Sequence, residues 1–168
     1  MSDNKHETDE KMNQVLEKLS SEDEDTLASM YLTFKLGNED YGIEVRYVTE
    51  IVGMQKITEV PDMPAFVKGV VNLRGQVIPV IDMRIRFNMS SRPYDERTCI
   101  IVVNIEKKQV GLVVDTISEV RNIEEKQISP APGNSPVYIK GMAKIGDMVV
   151  ILLAGERILH EHEMAAFG

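Results

Sequence analysis

The chain has a single cysteine, no tryptophan, and histidine only at positions 6, 160 and 162, all in the terminal segments. One thiol excludes an internal disulfide, and Cys99 sits in the apolar run TCIIVV, where a cysteine reads as a small core filler rather than a nucleophile. His160 and His162 are two positions apart and would point to different faces of a helix, so no metal site is expected. There is no P-loop and no GxGxxG, and the glycines stand singly. No catalytic residue and no cofactor is therefore expected. No apolar run approaches the ~20 residues of a membrane span. The N-terminal MSDNKHETDE lacks the basic start and apolar stretch of a signal peptide, which predicts a cytoplasmic protein without direct membrane insertion. Positive charge is also scarce. Nineteen bases face 27 acids for a net charge of −8, and the aromatics are four Phe and five Tyr. A nucleic-acid partner, which needs a basic face and stacking platforms, is not expected.

What the chain does contain is an internal echo. YLTFKLGNEDYGIEVRYVTEI (31–51) lies over IIVVNIEKKQVGLVVDTISEV (100–120) without a gap. Gly42 falls on Gly111, Val45 on Val114 and Glu50 on Glu119, while apolar positions coincide throughout. Downstream, FVKGVVNLRGQVIPVI (66–81) lies over YIKGMAKIGDMVVILL (138–153). Two echoes in the same order point to two copies of one small unit. A unit of about 65 residues buries only roughly 60 % of its unfolded surface, so the halves should pack on each other and leave a cleft between them.

Within each half the pattern is β. YLTFKL, a Gly-Asn-Glu-Asp turn and YGIEV read as strand, turn, strand. Gly42 and Gly111 inside strands suggest a bulge or a close backbone approach. RYVTEIV and TISEVRNI read as strands with irregular starts, FVKG as a helical turn, and QVIPVID as a strand that Pro79 confines to an edge or bulge. Asp82 can cap a short helix at MRIRF, and SSRPYDER links the halves. Many short strands with Gly and Pro turns and little helix indicate small antiparallel barrels. Residues 1–28 read as an acidic, mobile tail; the alternative is a helix with its stripe at Met12, Val15, Leu16 and Leu19 that docks on a partner or on the body. The body runs from 29 to 168: one subdomain at about 30–97, a second at about 98–160, and a C-terminal helix at about 155–167.

Arg74 is the first candidate for a functional role. In NLRGQ it occupies a hairpin tip beside Gly75, and the echo at Ile145-Gly146 has no arginine. A guanidinium on a stiff turn offers a planar fork of donors to carboxylates or to carbonyls at a helix end; the plainer reading is a solvated turn residue. Val77, beside Pro79, is a candidate for exposed apolar surface, against a core role. Glu50 and Glu119 at matching positions read as structural or solvated, each in its own half. The methionines crowding the first half read as gap fillers. The Pro-rich ISPAPGNSPVY (128–138) is a spacer or a contact loop.

YGIEVRYVTEI, PAFVKGVVNLRGQVIPVIDMRIRF, VGLVVDTISEV and ISPAP resemble the CheW family of bacterial chemotaxis coupling proteins, from about Met30 to the C-terminus. The resemblance implies a mainly β fold of two packed five-stranded SH3-like barrels with short helices. It also implies a non-catalytic adaptor joining the cytoplasmic tips of membrane chemoreceptors to the histidine kinase CheA, through the kinase's regulatory domain, in membrane-associated arrays. Carried onto this sequence, the receptor surface is a groove between the barrels with Val48, Arg74, Val77 and Ile100, a helix-in-groove mode. The kinase surface has Glu50, Ile57 and Val60. The loop 129–136 matches a weaker ring-closing contact, but Ser129 and Asn134 stand where some relatives carry a basic and an aromatic residue. The competing function is a small-molecule-binding or hydrolytic β-barrel protein.

Overall fold

The computed structural model describes residues 2–158, with side chains from Asp9 onward. The first half comprises α1 (Ser2–Leu19), α2 (Glu24–Leu27), β1 (Met30–Leu36), β2 (Glu39–Glu44), β3 (Val48–Gly53), β4 (Val67–Leu73), β5 (Gln76–Asp82) and α3 (Met83–Arg86). The second comprises β6 (Cys99–Ile105), β7 (Lys108–Val114), β8 (Thr116–Asn122), β9 (Ile128–Pro130), β10 (Ile139–Ile145) and β11 (Met148–Leu153). The protein is mainly β, as its alternation and turn residues imply. FVKG forms no helical turn, because β4 already starts at Val67 after a turn closed by Val67 N–H on the Pro64 carbonyl (2.9 Å). Asp82 does cap α3, its carboxylate accepting from the N–H of Arg84 at 2.9 Å and of Ile85 at 3.3 Å. The expected C-terminal helix lies, past the short 3-10 turn Gly155–Arg157, outside the described residues.

The strands form two sheets, ordered β8-β1-β2-β11-β10-β9 and β3-β6-β7-β5-β4. Each sheet takes strands from both halves, so subdomains at 30–97 and 98–160 do not coincide with the sheets. The hairpin β1–β2 joins β8 and, in parallel, β11. Its echo β6–β7 joins β3 and, in parallel, β5. The duplicated halves have exchanged their first hairpins. The same pattern of apolar alternation satisfies either arrangement, which is why periodicity does not reveal the exchange.

The echoed glycines sit at equivalent joints. Gly69 and Gly141 follow bulges opposite β5 and β11. A Cβ on Gly69 would lie 2.1 Å from the Thr58 carbonyl oxygen, and one on Gly141 would lie 2.7 Å from that of Ser129. Thr58 makes a single bridge to Val70, whereas Ser129 belongs to the three-residue strand β9. That difference gives one sheet six strands and the other five; neither closes its ladder completely.

One apolar core fills the space between the sheets, drawing Leu32, Phe34 and Ile43 from one and Ile51, Ile81, Ile101 and Leu112 from the other. Phe87, just after α3, reaches between Tyr41 and Tyr138 in a stack with centroid spacings of 5.4 and 4.7 Å, continued by Phe34 against Tyr41 at 5.8 Å. Residues 2–19, expected as part of a tail, form α1. Leu16 is buried in the core, Met12 and Leu19 pack against it, and the helix rests on β3 and β8.

Candidate protein-docking surface

The β4–β5 turn places the most prominent side chain. Arg74 and Gly75 have φ of 52° and 84°, as a two-residue hairpin with the strands' right-handed twist requires. Gly75 meets this without strain. Arg74 does not, and its conformation is held by the turn, in which the Asn72 side-chain oxygen accepts from Gly75 N–H at 2.8 Å. The Arg74 guanidinium projects outward, 69 % exposed, and donates to the Glu50 carboxylate on β3, which is 26 % exposed. That hydrogen bond lifts the guanidinium further above its ordinary pKa. An ion pair so wet contributes little to stability. Its consequence is geometric: Arg74 and Glu50, assigned by resemblance to separate surfaces, meet on one.

The same β4–β5 hairpin contributes to an apolar depression of about 230 Å³ lined by Val60, Met63, Val67, Gly69, Val70, Val77 and Pro79. Val77 is 65 % exposed and Val60 40 %. The cause is strand length. β5 pairs with β7 only over Val80–Asp82, so its first half, including Val77 and Pro79, runs beyond the sheet's cover. Between large apolar residues in the open and in the core, the former are the informative ones.

The other candidates sit deeper. Ile57 packs, half-buried, against the cluster of Val71, Ile78, Val80, Ile100, Val102 and Val113. Ile100 belongs to that cluster at 1 % exposure, over Gly111, where a Cβ would come within 2.7 Å of its Cγ2. It therefore shapes the outer face from beneath instead of presenting surface to a partner. Val48 starts β3 at a bulge and packs, half-buried, against the core between the sheets. The structure thus brings Arg74, Glu50, Val60 and Val77 to the exterior of the β3–β4–β5 side, with Ile57 and Ile100 behind it. The Ser129–Pro136 loop is mostly exposed and turns through a Ser135 N–H bond to the Pro132 carbonyl at 2.9 Å.

Several charged groups elsewhere are tied into structural pairs. Glu44 is buried between Lys140, whose ammonium donates to it at 2.7 Å and to the Tyr31 hydroxyl at 2.6 Å, and Arg46. Asp115 accepts from Arg84 at 2.6 and 2.8 Å, from Gly37 N–H at 2.8 Å and from Arg92 at 3.3 Å. Burial works to raise its pKa, but these donors outweigh it and hold the carboxyl below the usual range. Burial and the Glu156 carboxylate push the Tyr47 hydroxyl up to about 12. Among the described residues, no three His, Cys, Asp or Glu side chains gather as a metal site would require, and no helix is long and apolar enough to cross a membrane. Sequence reasoning missed the Lys140–Glu44–Tyr31 group; the matching FVKG and YIKG, with Lys68 over Lys140, was the available signal.

A two-sheet β framework with an aromatic stack in its core, ion pairs that clamp its strands, an apolar depression and an exposed turn-borne ion pair has the features of a protein-docking scaffold. Comparison with known proteins agrees. The CheW-like domain model matches residues 30–163. The chemotaxis protein CheW of Klebsiella aerogenes is 40 % identical over 145 residues, covering 84 % of this chain and 87 % of that one. A probable chemotaxis protein CheW of Rhizobium etli is 32 % identical over 139 residues, with coverages of 80 % and 90 %. The crystal structure of the scaffolding protein TtCheW from Thermoanaerobacter tengcongensis superposes with a TM-score of 0.75 at 33 % identity, over 80 % of this chain and 94 % of that one. The chain belongs to the CheW-like domain family, the scaffold family of chemotaxis.

Proposed function

We propose that this protein is a non-catalytic cytoplasmic adaptor that couples the cytoplasmic tips of membrane chemoreceptors to the histidine kinase CheA, and that it is recruited through them to membrane-associated arrays. The observations that carry the reading are the exposed Arg74–Glu50 pair and the apolar depression lined by Val60 and Val77, on a family scaffold. Val48, Arg74 and Val77 contact the receptor, with Ile100 supporting them from the core. Glu50, Ile57 and Val60 contact the kinase's regulatory domain. Because Arg74 holds Glu50, engagement of either residue by a partner releases or reorients the other.

The physics of such an adaptor is linkage. Holding both partners raises the kinase's effective concentration beside the receptor without any new kinase–receptor contact. A signal passes only if the adaptor's contacts differ between receptor states. The test is a titration of purified receptor cytoplasmic fragment and CheA regulatory domain against wild type and Arg74→Ala. The variant should keep its fold and lose about tenfold or more in receptor affinity, the loss a well-placed interface arginine commonly produces. Undiminished binding by Arg74→Ala would remove that residue from the interface. Specific, saturable turnover of a small substrate, abolished by a point change, would overturn the non-catalytic reading.

A further inference from the structure

We infer that α1 is a built-in competitor for the groove between the two sheets and must leave before a receptor helix can enter. The inference rests on the receptor-coupling reading above. β3 and β8 are echoes of each other and form outer strands of their respective sheets. The groove between them is lined by matching positions, Val48 over Ile117 and Ile51 over Val120, all packed in or against the shared core. α1 rests across both strands. It turns Met12, Leu16 and Leu19 to that core at helical spacing, the i, i+4, i+7 pattern by which an amphipathic helix fills a groove. This groove therefore accepts a helix, because it already holds one.

The attachment is specific but thin. Asn13 offers its side-chain amide to the outer edge of β3, donating to the Ile51 carbonyl at 2.9 Å and accepting from Ile51 N–H at 2.8 Å. It completes at one residue the pairing that an edge strand otherwise leaves open. Among the side chains described for α1, Leu16 is the only buried apolar one; Met12 and Leu19 are half-covered. A polar eighteen-residue helix of this kind is stable in water only while docked. The Asn13 contact and the Arg74–Glu50 pair fall on neighbouring residues of β3, Ile51 and Glu50, so departure of α1 frees the strand beside the proposed receptor contacts.

A helix tethered a few residues away competes at high effective concentration. If it is docked nine-tenths of the time, it lowers apparent receptor affinity about tenfold. The test uses the full chain as wild type, Asn13→Ala and Leu16→Asp, titrated with a purified receptor cytoplasmic fragment, alongside amide exchange at Ile51. Asn13→Ala leaves the core untouched and covers the case in which Leu16→Asp fails to fold. Expected results are faster Ile51 exchange and about five- to tenfold tighter receptor binding in Asn13→Ala. Faster exchange with unchanged or weaker binding would overturn the inference while leaving the coupling function standing. Unchanged exchange would overturn it equally, by showing that α1 stays seated. Absence of receptor binding by every form, wild type included, would bring down the coupling function and this inference with it.

Discussion

The two halves of this chain share a skeleton and differ on their surfaces. Gly69 and Gly141 make the same close backbone approach, Val77 and Val149 stand exposed at the same place, and Lys68 matches Lys140. Yet the first half carries the Arg74–Glu50 pair and the apolar depression, while the second has Gly146 at the corresponding turn and pairs Lys140 with buried Glu44 and with Tyr31. At the joint following the echoed hairpins the charge is reversed: Arg46 in one, Asp115 in the other, each bound to partners of opposite sign. Duplication therefore preserves what the backbone geometry demands. Charged and exposed positions, free of that demand, have diverged into the proposed contact face on one side and a structural clamp on the other.

Substitutions at matching positions break or sharpen this comparison. Gly69→Ala should cost the most, about 3 kcal/mol or more, because its φ of 144° and the Thr58 carbonyl both oppose a Cβ. Gly141→Ala faces the Ser129 carbonyl without the positive φ and should cost less. Denaturant midpoints of the two variants measure the difference, and equal losses would contradict the contrast. Ile100→Ala should cost about 2–3 kcal/mol, since its side chain is 1 % exposed. Val77→Ala should stay within about 0.5 kcal/mol and act on receptor binding instead. If Ile100→Ala proved nearly neutral in melting, Ile100 would have to be moved to the surface.

The clamp at Asp115 gives a pH signature. Its carboxyl titrates below the ordinary 3.8 in the folded protein, so the folded state binds that proton less readily than the unfolded chain. The associated stability is present above pH 3.8 and is lost as pH falls through the lower folded value. Asp115→Asn should unfold with a flatter acid limb in that window, and unfolding curves from pH 5 downward read it. An unchanged limb would mean that the Arg84 contact is not maintained in solution. Smallest in stability should be Arg74→Ala, with a melting temperature close to wild type because its pair is exposed, and with the loss appearing in partner affinity. A large drop in melting temperature would make Arg74 a structural residue like Lys140.

Much of the fold is legible from residues. Alternation locates the strands, Gly75 and Gly146 their turns, and Asp82 the start of α3. The exposure of Val77 follows less directly, since Pro79 signals an edge but not how far β7 extends. Ile100, assigned to the receptor surface by resemblance, is buried at 1 % exposure. A residue one layer beneath a face is as sensitive to change as one on it, and motif matching does not separate the two. α1 was equally ambiguous, because a short apolar stripe in an acidic stretch does not by itself hold a helix together in water.

The linear order of residues determined the repeat, the strand and turn positions, and the scarcity of reactive groups, for these depend on local periodicity and composition. The exchange of first hairpins, the meeting of Glu50 with Arg74 and the seating of Asn13 on Ile51 were decided by tertiary structure alone. Backbone ladders and edge amides are blind to side-chain identity. Which strand or helix satisfies them is therefore settled by the packing of the whole core.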